Sequence, residues 1–339
     1  MTTAWTGGQY SVLRLLVALA ATRIVLTSNA PAFVHLLALV PVALLAVGTR
    51  DRIASVVLAA VAAWWWAWSM SAVLLLHAAL PAAPYGSWDA RGRTDPGNDW
   101  ELPTWVPALA WGVLAVLHVM TGVGRFTGGP LSLLTGLLEL GLVALAFLPE
   151  QRRWAWLALT LIAVANNDAL GVLLVHAFAF DPGWIPASTR ITPAIVFYDG
   201  ACGLCERAVR FILAEDRAGA FQLAPLQSPA FERVVPPDDR PTLPDSIVVR
   251  ARDGELLVRA RAAIEIGTAL GGLWRVIATV LMLLPPELAD RAYDVVAARR
   301  RRLFAPPAAA CPLVPARLRA RFVPDALPES DQATASAPR

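Results

Sequence analysis

Two cysteines separated by two residues stand in the segment Tyr198-Asp199-Gly200-Ala201-Cys202-Gly203-Leu204-Cys205. The apolar run Ala194 to Tyr198 precedes them, and Cys202 to Glu215 has helical spacing with Val209, Ile212 and Leu213 on one side. A thiol at a helix N-terminus faces unpaired backbone N–H groups and the positive end of the dipole. Both stabilise the thiolate and bring its pKa from about 8.5 toward or below neutrality. Cys205, three residues on, lies where it can attack a mixed disulfide formed on Cys202. Cys202 is therefore the expected nucleophile and Cys205 the resolving thiol. Gly200 and Gly203 leave room for a second backbone to approach the sulfur.

Two other readings of the pair stay open, a structural zinc site and two unreactive cysteines. Zinc takes about four ligands. The C-terminal part offers only Cys202, Cys205 and Cys311 and has no histidine after His176, so no metal is assigned. The strand-to-helix context favours a redox dithiol over two plain cysteines. Cys311 is left as a structural residue or a third thiol.

The elements expected to hold this pair alternate as in a soluble α/β domain. Phe221 to Leu226 reads as a second strand. Ser246 to Ala251 and Glu255 to Arg259 flank the turn residues Arg252-Asp253-Gly254 as a hairpin, and Ala260 to Leu270 reads as a helix. Leu273 to Leu284 is apolar but too short to span a bilayer, which points to a buried or membrane-surface helix ending at Pro285-Pro286. The residues after Pro324 have the composition of a disordered tail.

Everything before this domain has a different composition. Residues 1–190 carry 10 Arg and 9 acidic residues, whereas residues 191–339 carry 19 Arg and 17 acidic residues. The second density is that of soluble protein and the first that of lipid-facing sequence. Six apolar stretches stand out: Tyr10 to Thr27, Pro31 to Gly48, Ile53 to Leu80, Trp105 to Gly122, Pro130 to Leu148 and Trp154 to Phe180. They predict about six spans. Asn166-Asn167-Asp168 interrupts the last of them, and all four histidines fall inside the stretches. Intramembrane polar groups are costly and often functional. His77, His118, Asp168 and His176 accordingly mark a candidate pocket for a quinone, with helix-to-helix hydrogen bonding as the plainer alternative.

The chain contains no lysine, so all 29 basic residues are arginine. Schiff-base chemistry and a phosphate-binding P-loop lysine are excluded. A net charge of +3, scattered along the chain, does not form the concentrated basic face that nucleic-acid binding needs.

The motif resembles that of the DCC thiol-disulfide oxidoreductases, whose Asp-X-X-Cys-X-X-Cys pattern is matched by Asp199, Cys202 and Cys205. Further similarity lies in Phe211 to Ser228, Pro244 to Val249, Asp290 to Phe304, and Cys311 followed by Arg321-Phe322. The resemblance implies a thioredoxin-like fold and a protein-disulfide reductase activity that needs no cofactor for the dithiol. It also implies that Pro244 is a cis-proline lying against the cysteines. More faintly, QYSVLRLL, PAAPYGSWDARGRTDP and VHAFAFDPGWIP resemble the transmembrane domain related to vitamin K-dependent gamma-carboxylase. Carboxylase chemistry is associated with a lysine, which this chain lacks.

The expected architecture is a multi-pass α-helical membrane domain over residues 1–186, a thioredoxin-like α/β domain over residues 191–323, and a tail over residues 324–339. The expected partners are the lipid bilayer and a protein or small-molecule thiol or disulfide. The expected location is the plasma membrane, with the soluble domain on the cytoplasmic side, as Arg207, Arg210 and the Arg299 to Arg302 run suggest.

Overall fold

The computed structural model describes residues 4–65, 67–81, 83–91, 100–166, 170–188, 193–244, 246–251, 253–303 and 316–324. Asp168, Cys311 and the tail beyond residue 324 lie outside them. The described residues divide into two compact units, one made of residues up to 91 and 100–184, the other of residues from 185 onward.

In the first unit the apolar stretches form α1 (Gly7–Thr27), α2 (Ala32–Val47), α3 (Asp51–Trp64), α4 (Trp68–Ala78), α5 (Trp105–Gly124), α6 (Pro130–Leu145), α7 (Arg152–Ala165) and α8 (Leu170–Ala179). Local chemistry sets the ends. Thr6 caps α1 by accepting the Gln9 N–H on Oγ1 at 3.3 Å. Gly48 closes α2 at φ +75°, a left-handed conformation that costs glycine little.

The six apolar stretches do not all form single long helices. Among the described residues, two helices are long and apolar enough to cross a membrane, Gly7–Thr27 and Trp105–Thr127. The stretch from Ile53 to Leu80, at 28 residues long enough to tilt or to be interrupted, is interrupted: it forms two helices, α3 and α4, packed on each other. The stretch from Trp154 to Phe180 divides likewise into α7 and α8. The second break follows Asn166, a residue type that favours helix ends. The first follows Trp64, with Trp65 as the C-cap of α3.

Polarity in this unit runs from inside to outside. Arg14, Asp51, His77, His118, Glu139 and His176 are buried, whereas Leu19, Leu36, Leu37, Met120 and Leu131 are exposed. Where α5 meets α6, a Cβ added to Gly136 would lie 2.5 Å from the Gly122 carbonyl oxygen, so the two backbones touch because side chains are missing.

The second unit is a small mixed α/β domain. Its elements are β1 (Ala194–Tyr198), α9 (Gly203–Glu215), β2 (Phe221–Pro225), α10 (Pro229–Val234), β3 (Val248–Arg250), β4 (Leu256–Val258), α11 (Arg259–Leu270), α12 (Gly272–Met282), α13 (Pro286–Leu303) and α14 (Ala316–Arg319). The sheet order is β2-β1-β3-β4. β1 and β2 run parallel from Ala194 against Phe221, whereas β3 runs antiparallel to both β1 and β4. The parallel pair needs a crossover, which α9 supplies, and the β3–β4 pair needs only a turn. Gly254 makes that turn at φ +89°.

Alternation along β1 divides the core. Ala194, Val196 and Tyr198 face a cluster with Val209, Ile212, Phe221, Ala262 and Phe322, while Phe197 packs with Ala224, Ala230 and Val248. Each fully buried large apolar side chain of this kind contributes about 1.5–3 kcal/mol. After α14 the chain returns to β2, where Leu223 N–H donates to Arg321 O at 2.9 Å and Val323 N–H to Leu223 O at 3.1 Å. The Arg321 guanidinium reaches the buried Asp216 carboxylate and donates to Asp216 O at 3.0 Å. Asp216 also accepts the N–H groups of Ala220 at 2.9 Å and Phe221 at 3.0 Å.

Candidate redox site

β1 delivers the chain to the cysteines through a turn that Asp199 builds. Asp199 Oδ1 accepts the Ala201 N–H at 3.0 Å, and Asp199 O accepts the Cys202 N–H at 3.2 Å. An aspartate that turns its own backbone in this way ends a strand and starts a helix within four residues. Cys202 is the N-cap of α9, with extended backbone at φ −103° and ψ 119°, and its carbonyl accepts the Glu206 N–H at 3.0 Å. Its thiol therefore stands at the N-terminal end of a 13-residue helix.

Cys205 lies one turn inside, and the two free thiols are neighbours that influence each other. Cys202 is 6% exposed and Cys205 3%, so the leading thiol is more enclosed than a fully open nucleophile would be. Burial pushes the Cys205 thiol up to about 12, and the adjoining Cys202 adds to this. The Asp199 backbone and the Arg300 guanidinium act in the opposite direction. A buried thiol of this kind stays protonated at neutral pH.

The other wall comes from β3 and α13. Tyr293 accepts the Ile247 N–H on its hydroxyl at 3.3 Å, and Ser246 is buried beside it. Burial raises the Tyr293 phenol; Ile247 opposes this and Cys205 reinforces it, so the three groups share one neighbourhood. Arg300, seven residues along α13 from Tyr293, lies on the same helix face and is buried, whereas the adjacent Arg299 is exposed. In the sequence the four arginines look alike. The signal that separates Arg300 from them is its helical phase with Tyr293.

Gln227 is the other residue that the motif did not point to. Its Nε2 donates to Asp199 Oδ1 at 3.1 Å and its Oε1 accepts the Gly200 N–H at 3.3 Å. It lies two residues past β2, and the parallel β1–β2 pairing brings it beside the loop after β1.

The cis-proline expectation is corrected. The Leu243–Pro244 peptide is trans, and the chain turns toward β3 by a Ser246 N–H donated to Pro244 O at 2.7 Å. That short turn makes the change of direction without an inverted peptide, and Ser246 and Ile247 are the residues that meet Tyr293.

The polar residues of the first unit form two groups. His77 accepts or donates at Nδ1 with the Tyr10 hydroxyl, and its Nε2 lies 3.4 Å from Asp51 Oδ2. His118 and His176 pair with each other, Nε2 to Nε2, at 3.3 Å. The single pocket of His77, His118 and His176 read from the sequence is thus two clusters, because each histidine takes its partners from the helix packed against it. Between α5, α6, α7 and α8 lies a cavity of about 610 Å³ lined by Trp5, Trp111, Phe147, Phe180 and Trp184. Among the described residues no three His, Cys, Asp or Glu side chains group as metal ligands.

A strand, a dithiol at a helix N-terminus and a parallel return strand define a small α/β domain built around two thiols. The comparison with known families agrees. Residues 196–306 match the family described as DCC1-like thiol-disulfide oxidoreductase, and this segment is a domain of that kind. The chain is also similar to the uncharacterized protein YuxK of Bacillus subtilis (strain 168), at 28% identity over 137 residues, which is 40% of this chain and 98% of the relative. No solved structure matches.

Proposed function

We propose that the protein is a membrane-tethered thiol-disulfide oxidoreductase of the protein-disulfide reductase type, with Cys202 as nucleophile and Cys205 as resolving thiol. The observation that carries this reading is the placement of Cys202 as the N-cap of α9 with Cys205 one turn behind it. The Cys202 thiolate attacks one sulfur of a substrate disulfide. A Cys202–substrate disulfide forms and the first substrate thiolate leaves. Cys205 then loses its proton and attacks Cys202 Sγ, forming the Cys202–Cys205 disulfide and releasing the second substrate thiolate. Two electrons pass from the dithiol to the substrate, and an external thiol or dithiol reductant restores the pair.

The sheet order and the position of the dithiol support a thioredoxin-like fold for this domain. Tethering rests on the two long apolar helices and on the exposed leucines around a polar interior in the first unit. The faint gamma-carboxylase-like resemblance of that unit adds no chemistry, since the chain has no lysine. The test is dithiol-driven reduction of a protein disulfide by the full-length chain. Turnover by the parent and none by Cys202→Ser is expected, and equal turnover by both contradicts the reading.

A second reading has the helical unit bind a lipid-soluble quinone while the dithiol relays electrons. The aromatic cavity of about 610 Å³ favours it, being within the range of small-molecule pockets. Co-purified quinone, and a Cys202–Cys205 redox state that follows the quinone pool, would support it over the first.

A further inference from the structure

The corner between α12 and α13 is apolar and stands in the open. Every residue from Thr279 to Leu288 is exposed, and all but Thr279 and Glu287 are apolar. Leu283 is 80% exposed and Val280 59%. No charge interrupts the run from Val276 to Pro286. A contiguous apolar surface of this kind marks an interaction site.

The distribution of the side chains selects the partner. Val280, Leu281, Met282 and Leu283 follow one another at the end of α12, so at about 100° per residue they point in four directions. All four are exposed. A protein partner, or a second copy of this chain, would cover one face and leave the opposite one in water. Fluid hydrocarbon covers every side of a helix that is apolar all round. The polar groups of the corner agree with this. The Thr279 hydroxyl donates to Arg275 O at 2.8 Å, and Pro285 and Pro286 have no N–H to leave unpaired.

Geometry also sets the depth. The two helices are bent by 116°. α12 has 11 residues, which makes it about 16 Å long against a hydrocarbon core of about 30 Å. α13 carries charged residues from Glu287 onward. The corner can therefore enter one leaflet but not cross.

We propose that the α12–α13 corner is a monotopic membrane foot, with Val280 to Leu284 and Leu288 inserted just beneath the headgroups of one leaflet. This rests on the membrane-tethered reading, because the long apolar helices of the same chain keep the corner within reach of a bilayer. On α13, Leu288 precedes Tyr293, which shares its neighbourhood with Cys205, by about 7.5 Å along the axis. The foot thus holds the dithiol close to the lipid surface, and its substrates are disulfides presented at that surface.

The experiment uses the full-length chain in phosphatidylcholine nanodiscs, with Cys202, Cys205 and Cys311 changed to Ser. A single cysteine from Leu283→Cys, Leu19→Cys or Asp238→Cys carries a nitrobenzoxadiazole label, and the lipid carries a nitroxide at a shallow or a deep acyl position. Leu283 and Leu19 are exposed, so neither replacement opens the packed core. At position 283 a blue-shifted emission is expected, with a greater loss of intensity to the shallow nitroxide than to the deep one. At position 19, near the middle of α1, the deep nitroxide should quench more, and at position 238 neither should quench. Quenching at 19 with water-like emission at 283 overturns the foot and leaves the tether standing. Quenching at neither position overturns the tether as well. A blue-shifted label at 283 that neither nitroxide quenches marks a protein cover, another copy or the chain itself, and also overturns the proposal.

Discussion

Gln227 clasps Asp199 across the loop that carries the dithiol, giving Asp199 Oδ1 an N–H at 3.1 Å while taking the Gly200 N–H at 3.3 Å. Asp199 follows β1 and Gln227 lies two residues past β2, the edge strand parallel to it, so the clasp ties the loop before α9 to the edge of the sheet. Gln227→Leu keeps the volume and removes both bonds. A loss of about 1–2 kcal/mol in positioning is expected, seen as a roughly tenfold lower kcat/KM for disulfide reduction. An unchanged kcat/KM would show that the loop holds its shape without Gln227.

The high pKa of Cys205 sets the pH dependence of resolution. At about 12 the thiol is protonated throughout the neutral range, and its thiolate fraction rises tenfold for each pH unit below that value. The lifetime of a Cys202 mixed disulfide should therefore shorten about tenfold per unit as pH rises from 7 to 10, as measured by rapid acid quench and mass spectrometry. The fold favours the protonated thiol. The reduced protein should accordingly lose stability as pH climbs from the ordinary thiol range to about 12, and not gain it.

Asp216 gathers two backbone N–H groups and the Arg321 guanidinium at the start of β2. Arg321→Ala leaves a buried carboxylate without its cation, a loss of about 3–5 kcal/mol. Hydrogen exchange of the Phe221–Pro225 amides should accelerate accordingly in that variant, while Arg299→Ala, at an exposed site, should leave it unchanged.

Gly136→Leu tests the contact of α5 with α6. Its Cβ alone would lie 2.5 Å from Gly122 O, so the helices must separate. A lower Tm of the full chain in detergent is expected, whereas Gly141→Leu, where a Cβ meets nothing, should leave Tm near that of the parent.

Much of the dithiol unit was legible in the residues. The short apolar run Ala194 to Tyr198 marked β1, and Arg252-Asp253-Gly254 marked the hairpin, because a bounded apolar run and turn chemistry are local properties. Gln227, Tyr293 and Arg300 were not legible as site residues. They come into the neighbourhood of the cysteines only through the β1–β2 register and the packing of α13, which are long-range. Whether Ile53 to Leu80 tilts or is interrupted was not legible for a related reason. Hydropathy records how apolar a stretch is, but not that α3 and α4 pack on each other.

The central claim is that Cys202 attacks and Cys205 resolves. Its most direct test is covalent trapping by the full-length Cys205→Ser variant, exposed to a protein disulfide and analysed by non-reducing gel and mass spectrometry. The account predicts a stable adduct on Cys202 that a dithiol releases, and no adduct with Cys202→Ser. Adducts formed equally by the Cys202→Ser variant, or none formed by Cys205→Ser under conditions where the parent reduces the substrate, would contradict it.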